Sequence, residues 1–159
     1  MGAMKRTTAG SVLAGCAMLV VVVGCGTACR CCRSGTSAIA SAPERVEIDG
    51  REYTLTANAW RDFQPIAPPD GQPLIVAVRL SAAEPTQTPA DLSIDHIWVL
   101  NGREQWSAKP EPGHSPSETA VRGGPKWGPG VKVDVVARLK RGAQTWLVRQ
   151  VGVDIKRTD

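Results

Sequence analysis

A chain of 159 residues with a formal charge of +4 has room for one domain once any leader is set aside, and a domain of that size buries a working core without disulfides. The excess charge is confined to the start. Of the 19 basic residues, Lys5, Arg6, Arg30 and Arg33 precede the first acid, Glu44, so 15 basic face 15 acidic residues from Pro43 onward, and interleaved signs with no basic stripe exclude a nucleic-acid-binding domain.

The leader comes first. Lys5 and Arg6 are followed by an apolar run from Val12 to Val23 and then by Gly24-Cys25, the layout of an export signal with small residues at its cut site. Val22-Val23-Gly24-Cys25 resembles the lipobox of bacterial lipoproteins. The resemblance implies a diacylglyceryl group on the sulfur of Cys25, cleavage after Gly24, and a protein held in the cell envelope with its domain outside the cytoplasm. It implies the membrane as a partner through this lipid, because two or more acyl chains anchor stably where one does not. Gly26 after the cysteine, in place of aspartate, points to the outer membrane in a cell with two membranes.

Leu13-Ala14-Gly15-Cys16 fits the same letters, but only Thr7–Val12 precede it, and the valine run would remain on the mature protein. Cys16 is therefore the lesser candidate. Two other readings of this segment stay open, an uncleaved spanning anchor and an ordinary cleaved signal. Thr7 to Cys29 carries no charge, and about 20 apolar residues span a bilayer. Glycine, serine and threonine dilute the stretch, however, and consecutive valines are mediocre helix formers.

Residues 25–42 read as a flexible tether rich in Gly, Ser, Thr and Ala. All five cysteines (Cys16, Cys25, Cys29, Cys31 and Cys32) lie in the leader and this tether. Their spacing is too compact for the two separated pairs of a zinc site, so neither metal nor cofactor is expected, and no disulfide staples the domain.

Residues 43–159 read as strands and turns. Arg45–Ile48 and Arg51–Leu55 alternate around Asp49-Gly50, a two-residue hairpin signature that puts Val46, Ile48, Tyr53 and Leu55 on one side. Leu74–Leu80 is near-continuously apolar, as a central strand would be. Leu92–Leu100 is a strand that Asn101-Gly102 turns into Arg103–Ser107, again with the letters of a type I′ turn. Val131–Leu139 alternates with Val131, Val133, Val135, Ala137 and Leu139 inward. Arg141-Gly142 turns the chain into Thr145–Arg149, and Val151–Ile155 closes it as an edge or continuing strand kinked at Gly152. Seven or eight short strands with no helical period predict an all-β fold, an antiparallel β-sandwich of immunoglobulin-like architecture, preceded by the apolar signal or anchor helix of residues 1–24. An open barrel is the alternative.

Candidate sites are few. The proline-rich loops Pro65–Pro73, Glu84–Pro89 and Lys109–Pro116 stiffen the chain. The loop Arg122–Gly130 sets Arg122, Lys126 and Trp127 among glycines and prolines. Trp and Arg are frequent interface anchors, so these three residues form a partner-binding candidate, the other reading being that Trp127 covers one end of the fold. Trp60, Trp98, Trp106 and Trp146 lie in or beside strands, where cross-strand packing accounts for them. His96 and His114 belong to no catalytic or metal motif, and neither a nucleophile elbow nor a phosphate-binding loop is present. The chain reads as a binding or structural module of the envelope rather than an enzyme, with an envelope protein as its partner. An inhibitor of an extracytoplasmic protease, acting through Gly123–Gly130, is the alternative, and a single-pass membrane protein carrying the same exported domain is another.

Overall fold

A computed structural model describes residues 35–83, 88–110 and 115–159. The leader, with Cys16 and Cys25, lies outside the described residues. The fold is all-β. A six-residue helix α1 (Gly35–Ala40) precedes eight strands: β1 (Arg45–Ile48), β2 (Arg51–Asp62), β3 (Leu74–Ala82), β4 (Ser93–Asn101), β5 (Glu104–Ala108), β6 (Glu118–Gly124), β7 (Lys132–Arg141) and β8 (Gln144–Thr158). Neighbours along the sheet run β5-β4-β7-β8-β2-β3-β6, with β1 added to β2. The sheet curls until it is mostly closed around one core.

Alternation builds that core. Tyr53, Leu55, Ala57 and Ala59 of β2 point inward and meet Leu74, Val76, Val78 and Leu80 of β3, while Ile97, Val99, Val133, Val135, Ala137 and Leu139 supply the opposite wall. Each fully buried aliphatic side chain stabilises the fold by roughly 1.5–3 kcal/mol before entropy is counted.

Several features differ from the sequence expectation. The pairing is antiparallel except between β2 and β8, which run parallel from Ala59↔Ile155 to Asp62↔Thr158. Residues 144–158 form one strand, the continuing form of the two expected, with Gly152 at φ +66° inside it; residues 144–154 pair with β7 and Ile155–Thr158 with β2. An unexpected strand, β6, takes Arg122 to Gly124 out of the predicted loop. Its Gly124 faces inward against the Trp106 ring and Leu74, where a Cβ would stand 3.0 Å from both, so the position favours glycine. Trp106 thus packs across the seam between β5 and β6.

The turns also differ. Asp49 (φ +52°) and Gly50 (φ +73°) form the expected pair of positive-φ residues. In the other two hairpins Asn101 pairs with Glu104 and Arg141 with Gln144, so the two-residue loops are Gly102-Arg103 and Gly142-Ala143. Glycine holds the first central position there, with φ near +58°, the place it takes in a type II′ turn.

Finally, the end of the predicted tether is ordered. Ile39 and Ala42 are buried against Val136, with Trp98, Leu100 and Leu147 around them. Val136 lies on the outward phase of β7, and α1 is its cover. Arg149 holds the segment in place: its Nη1 donates to Ala40 O at 2.6 Å and its amide to Pro43 O at 2.8 Å.

Candidate functional site

The loops 63–73 and 125–131 meet at the end of the fold where β2, β6 and β8 finish and β3 and β7 begin. Arg61 organises them. The inward phase of β2 runs Tyr53, Leu55, Ala57, Ala59 and then Arg61, which is 4% exposed. Its Nε donates to Gln72 O at 2.9 Å, Nη1 donates to Lys126 O at 3.0 Å and Gly128 O at 2.7 Å, and Nη2 donates to Asp70 O. A buried guanidinium is costly unless its donors are satisfied, and here four backbone carbonyls from two loops satisfy it. Phe63 extends the assembly. The Arg61 guanidinium lies 5.0 Å and that of Arg157 4.3 Å from its ring centre, and the ring presses on Gly71, whose φ of +75° and missing Cβ make the contact feasible.

The three sequence candidates part company here. Lys126 Nζ donates to Asp70 Oδ2 at 2.6 Å, and this hydrogen bond holds the Asp70 carboxyl below its usual range. Trp127 is half-buried and packs on the main core. Arg122 leaves the loop altogether and stands exposed on β6. The backbone carbonyls of Lys126 and Gly128 are turned inward to Arg61, so feeding this segment into a protease cleft as an extended strand would dismantle the brace. Sequence reasoning passed over Arg61. Its signal was an arginine on the inward phase of an otherwise apolar alternation.

On the opposite wall His96 leans on Trp98, with ring centres 4.3 Å apart and ring planes tilted by 41°. Arg138 grips Asp95 with Nε at 2.7 Å and Nη2 at 2.9 Å, which raises the Arg138 pKa. Burial, then the charge of Arg138, lowers the His96 pKa below 6.5. The arrangement holds a neutral imidazole against an indole. His114 lies outside the described residues.

The outer face of β2, β3 and β6 is more open. Pairing aligns Lys156, Trp60 and Ile75 in one row, with Arg122 beside Ile75 at a bulge, then Asn58, Ala77 and Ala120, then Thr56, Arg79 and Glu118. The small middle row leaves a depression of about 240 Å³ floored by Ala77 and edged by Thr56, Asn58, Arg79 and Glu118.

No protein-family model matches the chain, and neither a curated protein nor a solved structure shows detectable similarity to it.

Proposed function

We propose that the chain is a lipid-anchored binding module of the bacterial cell envelope, attached through Cys25 and carrying its β domain outside the cytoplasm, on the outer membrane where there are two. The observation that carries this reading is the order of segments: a basic end, an apolar run, the Val22-Val23-Gly24-Cys25 lipobox, a short polar link and then an all-β domain. Lipid confinement raises the effective concentration of the domain at partners on the same surface. The braced loops support a binding role because ordered loops lose little conformational entropy on association.

We read the domain as an immunoglobulin-like sandwich. The orders β2-β3-β6 and β5-β4-β7-β8 support this, since they correspond to the A-B-E and C-F-G neighbours of that fold with one added edge strand.

Mass spectrometry of the mature N-terminus tests the anchor. The expected species begins at Cys25 and carries acyl chains, and Cys25→Ala moves the protein out of the detergent phase. An intact Met1 on membrane-extracted protein, or unchanged partition of Cys25→Ala, would overturn it.

A further inference from the structure

We propose that the outer face of β2, β3 and β6 binds a carboxylate-bearing oligosaccharide, with Trp60 as the stacking platform and Arg122 and Lys156 as the carboxylate partners. The assignment deepens the envelope-module reading and rests on it for where such a polymer is met. Three features of the face select this chemistry. First, Trp60 stands on the outward phase of β2, partly exposed beside its cross-strand partner Ile75, and an outward indole can meet the apolar face of a sugar ring. Second, Lys156 and Arg122 flank that row and form no ion pair among the described residues, so they are available to an anion. Third, the next rows carry neutral and paired hydrogen-bonding groups. Thr56 and Asn58 are exposed, and Arg79 holds Glu118 through Nε at 3.1 Å and Nη2 at 2.9 Å, which fixes a donor and an acceptor side by side for ring hydroxyls.

The dimensions fit an extended chain better than an enclosed ligand. The depression of about 240 Å³ falls below the roughly 300 Å³ at which pockets begin to enclose a drug-sized molecule. From Trp60 to Thr56 the face runs about 13 Å, the length of a short oligosaccharide.

The test uses the full chain in detergent, titrated with tetragalacturonate, the neutral tetramer maltotetraose, and tetraglutamate as an anion without sugar rings. Saturable binding of tetragalacturonate with a change in Trp fluorescence is expected, tighter than either control. Trp60→Ala should weaken it by about tenfold or more, with Trp60→Phe recovering part. Arg122→Ala with Lys156→Ala, both on the surface, should erase the preference for the acidic over the neutral tetramer while leaving the melting temperature in place. Absence of saturable binding, equal affinity for tetraglutamate or maltotetraose, or an undiminished affinity in folded Trp60→Ala would overturn the proposal. The anchor is judged separately. Cys25→Ala that fails to change membrane partition while the glycan still binds sinks the envelope reading alone, and the reverse pattern sinks this one alone.

Discussion

Two arginines hold the two ends of this fold, and they do it by different physics. Arg61 is buried and surrounded by carbonyl oxygens of two loops. Arg141, at the opposite end, lies at the surface and reaches two carboxylates, Asp49 and, through Nε at 3.2 Å, Asp91. The first is a structural hub whose removal strands desolvated acceptors. The second is a surface ion pair in water, where Coulomb energy is small and salt-screened. Burial of the partners, rather than the number of contacts, sets the energetic weight.

The largest effect should follow Arg61→Ala. Four carbonyls lose a charged donor, and a loss of about 3 kcal/mol or more is expected, read as a lower denaturation midpoint with faster amide exchange in both loops. An unchanged midpoint would break the contrast. Gly71→Ala strikes the same end from the side. A Cβ would stand 2.6 Å from the Phe63 ring at φ +75°, and the overpacking should cost about 1–3 kcal/mol. Ile39→Ala, away from both ends, opens the cover of Val136 and should cost about 2 kcal/mol, the low end for a buried Ile→Ala, which chemical denaturation would resolve. Arg141→Ala should shift the melting temperature only marginally, and that shift should vanish in high salt.

Acid sharpens the comparison further. The lowered pKa of Asp70 means its contribution is complete above pH 3.8 and is lost as pH falls through the depressed value, and Asp70→Asn should remove that part of the acid limb. The lowered pKa of His96 acts in a higher window, complete above pH 6.5 and lost as pH falls through its own depressed value. Stability of His96→Gln should therefore lose its dependence on pH in the mildly acid range.

The chain itself determined the all-β character and most strand positions, because alternation with period two and an Asp-Gly or Gly-bearing turn are local signals that survive any packing. Even the inward placement of Tyr53, Leu55, Val133 and Val135 follows from them. Tertiary structure alone decided the rest. β6 is a strand because β3 offers it a partner, although its own letters are short and glycine-rich. The parallel β2–β8 pairing joins residues nearly a hundred positions apart, and only closure of the sheet brings them together. Gly35–Ala42 is ordered because Val136 needs a cover. Arg61 can be buried only because two distant loops turn four carbonyls toward it, and Arg122 leaves its loop to share a face with Trp60. Such long-range partnerships are paid in chain entropy and repaid in burial, and no local run of residues records them.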